Sequence, residues 1–197
     1  MLKKKLGGVI GLAIFFLGIQ NAQASRTLYP WSVGFGYAQN IFLNYSQSDD
    51  SVFRLGRFGF GGNVFATRQF SEKFGLKLDT VYNAHTASLR GTSKGITHVG
   101  TVIVEALWHF TDQPWGSIDP YVSVGPGLEV STHRALDNSK SPYPILAAAF
   151  GIDTYFRPTV SMFSEIGSYF SIRYMIVAAR IGFTYHFGHP KIVIFEE

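Results

Sequence analysis

Between Ala179 and Phe187 the sequence ARIGFTYHF alternates without a break. Ile181, Phe183, Tyr185 and Phe187 fall on one face, and Arg180, Gly182, Thr184 and His186 on the other. A period of two marks a β-strand, because successive side chains leave a strand on opposite sides. The pattern recurs upstream. WSVGFGYAQ sets Trp31, Val33, Phe35 and Tyr37 against Ser32, Gly34, Gly36 and Ala38. FGLKLDTVYNA sets Phe74, Leu76, Leu78, Thr80 and Tyr82 against Lys77 and Asp79. HVGTVIVEALWHF sets Val102, Val104, Ala106, Trp108 and Phe110 against Thr101, Ile103, Glu105 and His109. PYVSVGPGLEV sets Val122, Val124, Leu128 and Val130 against Ser123, Gly125, Gly127 and Glu129. Segments around 57–70, 145–156, 160–169 and 175–187 bring the expected number of strands to about eight, each of roughly ten residues. In the second, adjacent Val64 and Phe65 blur the phase and suggest a bulge.

The connections alternate in length. SEK (71–73), TDQPWGS (111–117) and RPT (157–159) are short, whereas 44–51, 87–95 and 132–144 are longer and polar. A strand that crosses a membrane needs about 9–11 residues, and barrels built from such strands have short turns on one rim and longer loops on the other. The alternation alone also suits a soluble sandwich with its apolar face inside. Two features favour the inverted arrangement, apolar side out. Trp31, Phe70, Phe74, Trp108, Phe110, Trp115, Tyr121, Phe156 and Phe187 cluster near the short turns or the strand-bearing ends, as an interfacial aromatic girdle would. Lys77, Asp79, Glu105, Asp153, Glu165 and Arg180 lie mid-strand on the glycine-bearing face. A Lys or Arg exposed to lipid at the midplane costs about 2–4 kcal/mol, so these charges point inward. The expected result is an ionic layer in the lumen, Lys77 and Arg180 against Asp79, Glu105 and Glu165.

The first 24 residues read as a signal peptide. Lys3, Lys4 and Lys5 precede an apolar run, Val9 to Ile19, and AQA (22–24) suits cleavage. That run is too short to span about 30 Å of hydrocarbon. With it goes most of the positive charge: the chain has 17 basic and 13 acidic residues, and without those three lysines the balance is 14 to 13. A nucleic-acid partner is therefore not expected. There is no cysteine to form a disulfide, and charged residues are 15% of the chain against roughly 25% in soluble domains.

The stretch RIGFTYHF resembles the C-terminal assembly signal of bacterial outer-membrane barrels, with Arg180, Gly182, Tyr185 and Phe187 in the characteristic places. With the export signal and the segments FSEKFGLKLDTVY and DPYVSVGPGL, residues 25–187 resemble the small-barrel family. That family includes the transmembrane domain of outer-membrane protein A and the opacity-type surface antigens. The resemblance implies a monomeric, eight-stranded, antiparallel, up-and-down transmembrane β-barrel in a Gram-negative outer membrane, recognised by the barrel assembly machinery. It departs from the family pattern after Phe187, where GHPKIVIFEE (188–197) forms a short extension.

No motif points to a cofactor or a metal. His85, His98, His109, His133, His186 and His189 show no H-x-x-x-H spacing, and the glycine-rich runs GRFGFGG and GPG lack a following helix. Some small barrels modify lipid A, but the deacylase His-x-Ser pair does not occur, and Glu129, Ser131 and His133 have the residue types in the wrong order. An enzyme is not expected. What remains is a structural or adhesion role through the extracellular segments 44–51, 87–95 and 132–144, facing lipopolysaccharide or a host surface ligand. The last of these carries Arg134, Lys140, Pro142 and Tyr143. The first alternative is a narrow pore gated by the ionic layer, and the second is a lipid A-modifying enzyme.

Overall fold

A computed structural model describes residues 26–44, 54–89, 93–110, 118–131, 142–171, 174–189 and 191–193. The expected signal peptide, residues 45–51 and 132–141 of two proposed loops, and Trp115 lie outside the described residues. The strands are β1 (Arg26–Leu28), β2 (Trp31–Asn44), β3 (Arg54–Gln69), β4 (Phe74–Leu89), β5 (Ser93–His109), β6 (Ile118–Ser131), β7 (Tyr143–Arg157), β8 (Val160–Phe170), β9 (Tyr174–Phe187) and β10 (Lys191–Val193). Strands β2 to β9 each pair antiparallel with their sequence neighbours, and β9 returns to β2, closing an eight-stranded barrel. The closing seam runs without a slip from Trp31↔Phe187 to Asn44↔Tyr174. Closure gives every strand two partners and leaves no edge, which is what hydrocarbon demands of backbone polar groups.

The outer face carries the large apolar residues. Phe35, Val64 and Ile166 are 63%, 64% and 64% exposed, and they belong to a band of exposed aromatic and aliphatic side chains on all eight strands. A soluble protein does not tolerate a contiguous apolar surface of this extent, so the band faces lipid.

Several expectations need correction. The strands are longer than about ten residues: β4 and β5 pair up to Leu89↔Ser93, so most of the proposed 87–95 loop is ladder. No bulge occurs at Val64–Phe65, where pairing runs unbroken from Trp31↔Arg68 to Ile41↔Phe58; the slips are at Ile41/Leu43 and Tyr155/Arg157. Regular phase there sends Phe65 inward, into space left by Gly34, whose missing Cβ would collide with the Phe65 ring. Tyr121 is not a girdle residue: it is buried in the lumen over Gly151, where a Cβ would likewise strike its ring. The barrel begins at Trp31 rather than at 25. Residues 26–28 instead pair with 191–193 of the extension, forming a separate two-stranded ribbon, Arg26↔Val193 to Leu28↔Lys191. Gly188, at φ 106°, makes the turn between barrel and ribbon in a conformation that glycine adopts readily.

Candidate functional site

The inner face is the place where charged chemistry gathers, and register explains how. Lys77 on β4 is the cross-strand partner of Glu105 on β5, and Glu165 on β8 is the partner of Arg180 on β9. These two pairs approach from different walls and join. Lys77 Nζ lies 2.9 Å from Glu165 Oε2, 3.0 Å from Glu105 Oε2 and 3.6 Å from Asp79 Oδ2. Arg180 Nη1 donates to Asp79 Oδ2 at 2.5 Å, and Nη2 pairs with Glu165 Oε1. Thus all five residues proposed for an ionic layer sit in one cluster, each with side-chain exposure of 4% or less. Two cations meet three carboxylates. The surplus negative charge is tempered by neutral donors, since Tyr121 donates to Glu165 Oε2 at 2.9 Å and Asn63 Nδ2 to Asp79 Oδ1 at 3.2 Å. The Phe65 ring lies 5.3 Å below the Lys77 ammonium and packs edge-on against Phe163 at 5.2 Å.

Above this cluster apolar side chains gather in the lumen. Val81, Ile103, Ile145, Ala147, Tyr169, Ile176 and Ala178 form a buried group. The expectation of a small-and-polar inner face therefore holds only for part of its height. Among these residues, Asn40, the cross-strand partner of Ala178, donates from Nδ2 to Asn83 Oδ1 at 2.6 Å, and Glu129 is fully buried with neither carboxylate oxygen hydrogen-bonded among the described residues.

At the periplasmic mouth a second polar group gathers around the inward-facing His109 and His186. His109 Nδ1 lies 3.0 Å from Asp119 Oδ2, and Ser161 Oγ is 2.8 Å from His186 Nε2 and 3.5 Å from Asp153 Oδ1. Asp153, placed with the inward charges, thus belongs to the mouth and not to the central layer. The types Ser, His and Asp invite a nucleophilic reading. Ser161 itself is fully buried, with its hydroxyl between the imidazole and the more distant carboxylate. The other constellation, Glu129, Ser131 and His133, lies partly outside the described residues. Glu129 points into the lumen, Ser131 ends β6, and His133 lies outside the described residues. No group of three or more His, Cys, Asp or Glu among the described residues is arranged to hold a metal ion.

The residues of the proposed assembly signal divide by face. Tyr185 and Phe187 point outward, their rings stacked 6.1 Å apart, while Arg180 enters the ionic cluster. Gly182 lies against the Phe35 carbonyl and the Phe163 ring, which a Cβ would strike. Tyr121, Asn63, Phe65 and Phe163 were missed as partners of the cluster. In β8 the signal was present but balanced: Phe163 and Tyr169 alternate with Met162, Ile166 and Phe170, so neither face is the bulkier.

No protein-family model matches the chain, and no curated protein matches it by sequence. Solved structures do match. Neisserial surface protein A superposes with a TM-score of 0.61 at 13% identity, over 84% of this chain and 100% of that one. The attachment invasion locus protein Ail of Yersinia pestis gives 0.52 at 13% identity, with the same coverage, and its complex with the heparin analogue sucrose octasulfate gives 0.54 at 14%. Identity this low carries architecture only, and the architecture is clear: the chain has the closed eight-stranded fold of the small bacterial outer-membrane β-barrels.

Proposed function

We propose that this chain is an exported outer-membrane surface protein that acts through the segments on its extracellular rim. The observation that carries this reading is the filled lumen. An eight-stranded barrel is just wide enough for its own side chains, and here an ionic cluster and, above it, a group rich in apolar side chains occupy the interior. A pore would require both to rearrange. With the interior committed to packing, recognition falls to the extracellular segments, because loops on a rigid scaffold are where binding residues concentrate. Ail, one of the similar structures, is an attachment protein by its own description and has been solved with a heparin analogue. In this chain Arg134 and Lys140 give the 132–144 segment two cations suited to anionic saccharides, lipopolysaccharide included.

Residues 1–24 would direct export and be removed by cleavage after residue 24. Phe187, outward at the closing seam opposite Trp31, would be read by the assembly machinery before the seam forms. The test is binding by whole cells that display the barrel, using immobilised sulfated polysaccharide and purified lipopolysaccharide as probes. Replacing 132–141 with a Gly/Ser segment should abolish binding while the heat-modifiable mobility on unboiled SDS gels is retained. Undiminished binding after exchange of all three proposed loops would remove the reading.

A further inference from the structure

The outward surface is not evenly convex. Across β5 to β8 one row of cross-strand neighbours reads Ala106, Val124, Ala148 and Ser168. The adjoining row on the periplasmic side reads Trp108, Val122, Phe150 and Ile166. Small residues beside large ones leave a furrow of about 630 Å³, almost wholly apolar, floored by Ala106, Ala148 and Ser168 with Val124 between the first two. Its lower end is framed by Phe74 and Phe110. Phe74 and Trp108 meet edge-to-face at 4.3 Å, so this wall is held. Its upper end, at Ser168, is eight residues above the start of β8 at Val160. At about 3.3 Å per residue and a tilt near 40°, that is a climb of roughly 20 Å in an apolar band about 25 Å tall.

The furrow therefore starts in the aromatic girdle and runs obliquely into the interior of the membrane band. The turn that carries Lys73 lies next to its lower end. Lys73 directly precedes Phe74, beside Glu72, and its carbonyl accepts a hydrogen bond from His109 N at 2.8 Å, which fixes the turn next to Trp108. We propose that the furrow holds one acyl chain of a phospholipid in the periplasmic leaflet, with the lipid phosphate at the level of Lys73. A linear, flexible hydrocarbon can follow an open, oblique furrow. A second copy of the barrel does not, because two convex surfaces touch along a ridge and cannot enter the floor. The inference rests on the reading that the outer face meets lipid.

The test is native mass spectrometry of the mature full-length protein, folded in vesicles of phosphatidylethanolamine and phosphatidylglycerol and released into mild detergent. The wild type should retain one phospholipid per barrel. Ala148→Phe, an apolar replacement on the lipid face, should lower the retained fraction about tenfold, the equivalent of 1.4 kcal/mol. Lys73→Ala should weaken retention while leaving the folded mobility on SDS gels unchanged. Equal retention by wild type and Ala148→Phe overturns the proposal. So does a dimer peak that Ala148→Phe abolishes, which would make the occupant a second copy. A chain that shows no heat-modifiable form in vesicles would instead overturn the membrane reading itself, so the two failures are separable.

Discussion

Arg180 offers the sharpest test of how the lumen is held. Its guanidinium contacts Asp79 and Glu165, and with Lys77 it offsets three carboxylates. Two opposite-charge contacts at about 4 Å between charge centres are worth roughly 4 kcal/mol each at an effective dielectric near 20. Desolvating the guanidinium costs several kcal/mol, so the gross attraction is largely offset. The expected loss on Arg180→Met is about 3–5 kcal/mol, most of it from leaving Asp79 and Glu165 buried beside Glu105 with Lys77 alone to answer them. The assay is urea unfolding of the refolded barrel in phospholipid vesicles, followed by tryptophan fluorescence and by mobility on unboiled SDS gels. In-vitro folding also separates the cluster from any role of Arg180 in assembly. Adding Glu165→Gln restores the original imbalance of one charge, so the double variant should regain about half of the loss or more. A single-variant loss below about 1 kcal/mol, the level of an exposed pair, would mean that the cluster is screened by water. Losses that simply add in the double variant would mean that the residues do not act as a network.

Two further outcomes follow from the packing. Tyr121→Phe should cost about 1.5–3 kcal/mol by removing the hydrogen bond to Glu165, and Gly151→Val should cost about 1–3 kcal/mol more, because its side chain displaces the Tyr121 ring as well; equal losses in the same urea assay would show that the ring is not held against Gly151. In planar bilayers the wild type should not conduct steadily, nor should Ile103→Gly/Ile176→Gly, which opens only the apolar layer, whereas adding Arg180→Met to that pair should give a conductance; a steady wild-type current would contradict a sealed lumen.

How much of this was legible beforehand depends on which solvent each face meets. Lipid imposes one rule on every outward position, so the outer face is written as alternation, and Val33, Phe35, Val102, Val104, Ile181 and Phe183 announce themselves in a single chain. The ionic residues were legible for the same reason: no charge on an alternating strand can be sent to hydrocarbon, so Lys77, Asp79, Glu105, Glu165 and Arg180 had only one direction left. Their pairing was less so. That Lys77 faces Glu105 across a ladder, and that Glu165 faces Arg180, is a matter of register, which no residue on one strand encodes.

The remaining lumen was harder because burial inside the barrel does not prescribe polarity. An inward side chain there has to fill volume and satisfy whatever polar atoms it carries, and an isoleucine does this as well as an ion pair. Ile103, Ile145 and Ile176 therefore sit within the same interior as Glu105 and Arg180, and their strands give no periodic warning of the change of layer. Aromatics show the same ambiguity. Tyr121 sits beside the short 111–117 connection, as a girdle residue should, yet its alternation with Val122 and Val124 places it inward. Position along the strand and phase across it gave opposite answers, and phase prevailed, because moving one residue to the other face would turn every neighbour on β6 with it. The same rigidity governs what a substitution can do. Between the two rims each residue is constrained by lipid on one side or by a packed neighbour on the other, so a change there acts first on packing.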